Sequence, residues 1–370
     1  MIRFELMSIT LLICALQGVL LAGLLWRSRA NRVANRWLAL LILAMVALIT
    51  PFIIGYAGFY DRWPWLSFAP FSYTLAFGPL LYLYTLSLVD QPPRQVWPHF
   101  APVALQFAAY ALVFPFPLET KNAWTSLAHA PLIDPLLETA TLVSLAAYGL
   151  ASWQRYRRYR RWLDDNRTDG ADFDPGWIRN FLVALLGVAI IWAGFMLAKA
   201  LDPARDYADQ FALYLIFAAL VLYLGTAGWR YAATDFPLPA PPAAAPEPPP
   251  PGKDWTAQGA LWLARVKAEQ LWRDPDLTLS ALARILGTNT SYLSRGLGAA
   301  SGENFNAVVN RYRVEEVQRM LASSGETRDL LTLAFEAGFN SKASFNRAFR
   351  DLAGMSPSAW RLKSQKNEAD

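Results

Sequence analysis

Cys14 is the only cysteine of the chain and sits in an apolar run, so neither an intrachain disulfide nor a cysteine zinc site can form. The two histidines, His99 and His129, stand 30 residues apart, which excludes a HExxH helix or a His-rich metal site. No GxxxxGK phosphate loop occurs, and no GxGxxG follows a strand. Nothing positive supports an enzyme, and neither a catalytic residue nor a cofactor is expected. The remaining candidates for chemistry are polar side chains set in long apolar runs: Gln17, the Tyr73–Thr74 pair, Gln106, Glu138, Thr139 and Thr141. Such groups are costly in hydrocarbon and tend to mark function. Gln17, Tyr73, Gln106 and Glu138 are therefore read as candidates for sensing a signal. Glu138 lies near one end of its run, where it can also snorkel into water.

The elements that carry these groups follow from composition. Hydrophobic residues make up 54% of the 370-residue chain and charged residues only 17%, against about 25% charge in ordinary soluble domains. The charge is also unevenly placed: residues 253–370 hold 16 Lys and Arg and 13 Asp and Glu, nearly half the total in under a third of the length. Two bodies are joined, one suited to lipid and one to water. Runs free of charge lie at 6–26, 37–60, 63–89, 95–118, 139–154, 180–198 and 210–229, and about 20 apolar residues suffice to cross a bilayer as helix. The fifth run reaches that length when extended back to Pro135. Seven spans are expected, with Pro79, Pro98, Pro102, Pro115 and Pro117 blurring the ends of the third and fourth and Gly78–Pro79 kinking the third. The first run is longer than the apolar core of a signal peptide and has six more behind it.

Orientation follows the arginines. Loops after the first, third, fifth and seventh spans hold thirteen, seven of them between Arg155 and Arg179, whereas the opposite side has five basic residues, Arg3, Arg62, Lys121, Lys199 and Arg205. The N-terminus is expected outside and the charged C-terminal third in the cytoplasm. Trp26, Trp37, Trp63, Trp97, Trp124, Trp153, Trp177 and Trp229 fall near span ends and are read as interfacial anchors. The stretch RYRRYRRW at 155–162 is read as attraction to anionic lipid plus topology, and the acidic stretch Asp164–Asp174 as a solvated loop. Nine prolines between Pro237 and Pro251 make residues 235–254 a polyproline II spacer with a reach of up to roughly 60 Å. The domains are then 1–234, a membrane region; 235–254, the linker; and 255–370, a helical domain.

Within that last domain one pattern occurs twice. In LTLSALARILGTNTSYLSRGL, Leu282, Ala283 and Leu286 form an inward stripe, Gly287 ends the helix, and Asn289 or Thr290 caps a second helix with Leu293 and Arg295. About 50 residues on, in DLLTLAFEAGFNSKASFNRAFRDL, Leu333, Ala334, Ala337 and Gly338 take the same places, Asn340 or Ser341 caps, and Phe345 and Arg347 match Leu293 and Arg295. Helix, tight turn and second helix is the helix-turn-helix pattern. Between the copies Glu303–Ala322 reads as one 20-residue helix, about 30 Å long. That is close to the ~34 Å between successive major-groove faces of a duplex.

Residues 258–363 resemble the AraC-type DNA-binding domain. The likeness rests on LSALARILG, on NRYRVEEVQRML, on AFEAGFNSKASFNRAFRDLAGMSPSAWR and on the terminal Pro357, Trp360 and Arg361. The whole chain looks like the AraC-type regulators with an N-terminal multi-span region, to which FGPLLYLY at 77–84 is similar. The resemblance implies an all-α protein: a seven-transmembrane-helix bundle and a cytoplasmic domain with two helix-turn-helix units joined by a long helix. It further implies sequence-specific binding of double-stranded DNA, RNA polymerase as a partner, and residence in a bacterial inner membrane with an N-terminus outside. By position in the family pattern, base contacts fall to Ser291, Ser294 and Arg295 in the first unit and to Lys342, Ser344, Asn346 and Arg347 in the second. Arg311 and Arg313 are placed either on phosphate or in pairs with Glu315 and Glu316. Gly296, Leu297 and Gly298 stand where the family has larger apolar and basic residues, so the end of the first recognition helix is expected to fray. The domain's net charge is only +3, so affinity depends on charge placement, helped by a homodimer. The signal is left open among a small molecule, a lipid, a peptide and an envelope protein. The alternative reading is a membrane transporter or sensor whose C-terminal domain is a protein-interaction module.

Overall fold

The computed structural model describes residues 4–90, 93, 95–170, 172–201, 210–239, 252–323 and 327–369. Most of the proline-rich spacer, together with Arg3, Arg94 and Arg205 from the orientation argument, lies outside the described residues. The described residues are helical throughout, apart from turns and one isolated antiparallel bridge between Arg167 and Thr278. Contacts divide the chain into two units, Met1–Arg157 with Pro175–Leu238, and Arg158–Asp174 with Pro239–Asp370.

The first unit contains α1 (Leu6–Arg27), α2 (Arg32–Tyr56), α3 (Phe77–Val89), α4 (Trp97–Val113), most of α5 (Asp134–Asn166), α6 (Gly176–Leu201) and α7 (Phe211–Tyr231). Five described helices are long and apolar enough to cross a membrane: α1, α2, α6, α7 and the continuous stretch Leu118–Asn166 that ends in α5. The two expected spans that fall short are α3, with 13 residues, and α4, with 17. Pro64 and Pro70 withhold backbone donors ahead of α3, and Phe68 takes a left-handed backbone at φ +64°, so beyond one 3-10 turn at Pro64–Leu66 the 63–89 run becomes helical only from Thr74. Gly78 and Pro79 consequently lie in the first turn of α3, where a proline is tolerated. They therefore open the helix and do not interrupt its middle.

Close packing of α1, α2 and α7 rests on glycine. A Cβ on Gly18 would meet Val221 at 2.6 Å and Val46 at 2.9 Å, and one on Gly225 would meet Leu21 at 2.5 Å. Small residues at such crossings let apolar helices approach without any hydrophobic drive between them. The buried side is filled by Leu38, Ile42, Ile49, Val221 and Leu224. Buried Asn35 ties the start of α2 to the end of α7 by donating to the carbonyls of Ala30 at 2.9 Å and Ala232 at 3.1 Å. On the other faces leucine and isoleucine lie open, with Leu20 64%, Leu186 62% and Ile190 63% exposed. Of the tryptophans read as interfacial, Trp26, Trp97 and Trp229 are exposed, but Trp177 is buried between Tyr84 and Tyr231 and serves packing instead.

Three of the polar groups picked from the sequence meet in this unit. Thr74 Oγ1 and Thr141 Oγ1 lie 2.9 Å apart, Gln106 Nε2 donates to Thr74 Oγ1 at 3.3 Å, and Gln106 Oε1 accepts from the Leu75 amide at 3.3 Å. All three side chains are buried. Tyr73 stacks on Phe107 beside them. Gln17 is exposed and Glu138 half-buried, and neither hydrogen-bonds to this cluster.

Candidate nucleic-acid interface

The second unit builds two hairpins in succession. The first pairs α9 (Leu279–Ile285) with α10 (Thr290–Ser301), behind α8 (Trp255–Ala268). After α11 (Phe305–Leu321), the second pairs α12 (Leu330–Glu336) with α13 (Lys342–Ala353), and α14 (Pro357–Ala369) closes the chain. Each helix starts on a side-chain cap that takes one of the unpaired first-turn amides. Thr278 accepts from Ala281 at 3.2 Å, Asn289 from Tyr292 at 2.8 Å, Asp329 from Leu331 at 2.9 Å and Ser341 from Ser344 at 3.1 Å. Between sequence alternatives, Asn289 and Ser341 are the caps. The hairpin turns need a left-handed residue, supplied by Gly287 at φ +69° and Gly338 at φ +89°.

Two cores form around α11. Val308, Val309 and Tyr312 join Leu282, Ala283, Leu286, Leu293 and Leu297, while Val314, Val317 and Leu321 join Leu333, Ala334, Ala337, Phe345 and Phe349. The switch falls at Arg313, which is 1% exposed. Its guanidinium donates to the carbonyls of Trp272 at 2.8 Å and Asp274 at 2.7 Å and stacks over Phe339. Burial lowers it to about 10, still charged at neutral pH. Arg313 is thus a strut between the two hairpins, not a phosphate ligand. Arg311 is taken by Glu303 at 3.0 Å and Glu315 at 3.5 Å. Glu316 is held below the usual carboxylate range, chiefly by its hydrogen bonds from Arg319 and also by Arg273. The linking helix is 17 residues, about 25 Å by the helical rise, slightly shorter than the sequence expectation.

The first recognition helix does not fray. α10 continues to Ser301 and ends on Gly302 in a left-handed cap. Gly296 lies against α8, where a Cβ would meet the Trp262 ring at 2.6 Å, and a Cβ on facing Gly259 would meet the Gly296 carbonyl oxygen at 1.9 Å. The small residue is required by this contact, and Leu297 behind it is fully buried.

On the outer face of α10, Ser291, Ser294 and Arg295 are exposed, with the Arg295 guanidinium 5.5 Å over the Trp255 ring. On α13, Lys342 and Arg347 are exposed and Asn346 is half-buried. Ser344 departs from the expected set: it is 5% exposed, and its Oγ lies 3.4 Å from Asp172. Sequence reasoning named Asn340 and Ser341 only as alternative caps and overlooked Arg350. Arg350 is exposed one turn beyond Arg347, and an i, i+3 search along the helix would have found it. The segment read as a solvated loop, Asp164–Asp174, is also different, since Thr168 and Asp169 are 3% and 5% exposed within this unit.

Residues 282–363 match the family described as a helix-turn-helix domain, of AraC type. Similar curated proteins are HTH-type transcriptional regulators of Staphylococcus aureus, among them those of strains MRSA252 and COL, each 33% identical over 86 residues. That stretch covers 23% of this chain and 11% of either relative, so the chain spans about a tenth of their length. No solved structure matches. The C-terminal part of the chain thus carries a helix-turn-helix domain similar to one found in transcriptional regulators.

Proposed function

We propose that this chain is a membrane-bound one-component transcriptional regulator, which reads specific DNA through α10 and α13 in response to a signal received by its apolar unit. The observation that carries the reading is the paired arrangement of the two hairpins. Each presents an exposed arginine, Arg295 or Arg347, on the second helix, and one buried-core helix of about 25 Å joins them. Arginine on an exposed helix face suits the O6 and N7 edge of guanine, and Asn346 suits adenine. With a net charge of only +3, the domain depends on these placements, and a homodimer would double them.

Membrane residence is supported by five long apolar helices and by leucine and isoleucine on their open faces. We read α3 and α4 as two further passes, giving seven, with the N-terminus outside and the hairpins in the cytoplasm of a bacterial inner membrane. The same reading gives RNA polymerase as a partner. It makes residues 1–234 the sensor, 235–254 the spacer and 255–370 the DNA-binding domain. Within the sensor, the buried Thr74, Gln106 and Thr141 cluster is the element best suited to rearrange on binding a signal, because its hydrogen bonds have no water to fall back on.

Selection of random-sequence duplexes by the full-length protein in lipid nanodiscs tests the reading. Enrichment of a two-part site, with its parts about one helical turn (~10.5 base pairs) apart, is expected. Recovery of unenriched sequence from repeated rounds contradicts it.

A further inference from the structure

The segment Arg158–Asp174 belongs with the helix-turn-helix unit, and two of its five aspartates hydrogen-bond at the start of the second recognition helix. Asp172 accepts from Ser341 Oγ at 2.8 Å and from Ser344 Oγ at 3.4 Å. Asp169 accepts from Asn340 Nδ2 at 3.3 Å. Burial pushes the Asp164 carboxyl up, with the positive charges of Arg160 and Arg347 acting the other way. The contacts therefore fall on the cap of α13 and on its first turn.

The segment is anchored at several further points. Arg167 bridges Thr278, the cap of α9, and Thr168 Oγ1 donates to the Leu277 carbonyl at 3.4 Å. Asn304, the cap of α11, donates to Asp165 at 3.3 Å. Internally, Arg167 holds Asp169 through two hydrogen bonds of 2.6 Å and lies over the Phe173 ring, while Arg160 pairs with Asp174. This is a shaped acidic turn seated on the start of three helices of the domain.

The first turn of a helix offers unpaired amides and the positive end of its dipole, which is why phosphate favours it. In DNA complexes of helix-turn-helix proteins, the N-terminal residues of the recognition helix face the base edges. A carboxylate hydrogen-bonded to Ser341 and Ser344 occupies that same place. The donors cannot serve Asp172 and a DNA strand together. We propose that Asp164–Asp174 is an intrachain acidic plug that competes with duplex DNA for the N-terminal end of the second recognition helix. The plug rests on the DNA-binding reading of α13 given above. Its first residues are the last turn of α5, a helix whose earlier part belongs to the apolar unit, so the plug has a covalent connection to the proposed sensor.

The test uses the full chain in nanodiscs and a fluorescent duplex obtained by selection with the Asp169→Asn/Asp172→Asn variant. If the closed plug holds about nine molecules in ten, apparent affinity is reduced about tenfold, because only the open fraction binds. Asp172→Asn and Asp169→Asn/Asp172→Asn are expected to tighten binding towards that limit. A charge-matched control, Glu269→Gln/Glu315→Gln, is expected to change it by less than about twofold, since these carboxylates pair with Arg265 and Arg311 and exposed charges are screened by salt. Adding Arg347→Ala to the double variant is expected to abolish the gain. In the wild-type chain, amide exchange of residues 164–170 is expected to rise on adding the duplex. Equal affinity of wild type and both aspartate variants, an equal gain in the charge control, or unchanged exchange would each overturn the plug while leaving DNA binding intact. Failure of every variant to bind any duplex would overturn the DNA-binding reading together with the plug.

Discussion

Gly259 and Gly298 should respond to the same substitution with opposite sign. An alanine Cβ at 259 would stand 1.9 Å from the Gly296 carbonyl oxygen, whereas ordinary contact begins at 3.4 Å, so α8 and α10 must separate by about 1.5 Å. Overpacking of this kind costs about 1–3 kcal/mol, and the upper end applies because the obstacle is backbone, which has no rotamer to change. Alanine returns about 1 kcal/mol of helix propensity, leaving a net loss of about 2 kcal/mol, roughly a thirtyfold change in an opening equilibrium. At Gly298 a Cβ meets nothing within 4 Å, so only the propensity gain of about 0.5–1 kcal/mol remains. Amide hydrogen exchange of residues 292–300 in the full chain reads both effects. Gly259→Ala is expected to speed exchange about thirtyfold, and Gly298→Ala to slow it about two- to fivefold. Unchanged or slower exchange in Gly259→Ala would refute the close-approach account of α8 and α10.

Other consequences follow from the same geometry. On the proposed reading, Arg347→Ala removes a bidentate base contact worth about 1–3 kcal/mol and is expected to weaken binding to a selected duplex about five- to hundredfold, with less loss on unrelated sequence, in a side-by-side titration. Arg313→Met leaves the Trp272 and Asp274 carbonyls without their donor, and with about 1–3 kcal/mol for each stranded group the exchange of α11 and α12 amides should accelerate at least tenfold. Arg313→Lys should rescue this only in part, because an ammonium lacks the planar fork that reaches both carbonyls. The Glu316 carboxyl is held below its ordinary 4.5 in the folded chain by Arg319 and Arg273. Its stabilising contribution is therefore complete above that pH and disappears as the pH falls through the lower folded value. Glu316→Gln should flatten this part of an acid titration followed by exchange of α11, and an unaltered acid profile would count against the ion pair.

The hairpins were legible because their signals are local. Leu282, Ala283 and Leu286 repeat at Leu333, Ala334 and Ala337, and Gly287 and Gly338 stop each helix where a left-handed residue is needed. The caps were left open between Asn289 and Thr290 and between Asn340 and Ser341, and in the structure Ser341 caps one residue later after its glycine than Asn289 does. Tertiary contacts were not legible. Gly296 looked like a weak point of α10 because nothing nearby in sequence announces Trp262 and Gly259 as its partners. Asp164–Asp174 looked solvated because its partners, Thr278, Asn304 and Ser341, lie more than 100 residues away. Ser344 fell on the expected helix face by position but is covered by that same segment. In the apolar unit, hydropathy located the helices, yet Pro64, Pro70 and the left-handed Phe68 delayed the start of α3. The polar trio shows the opposite case. Gln106, Thr74 and Thr141 were each flagged as costly in lipid, and the structure joins all three.

Genome-wide occupancy of the full-length protein in its own cells, beside an Arg295→Ala/Arg347→Ala variant of equal abundance, tests the central claim most directly. The account predicts discrete sites near a small number of promoters, lost in the variant. Sites unchanged by the double substitution, or none in either the wild-type chain or its Asp169→Asn/Asp172→Asn form, would contradict it.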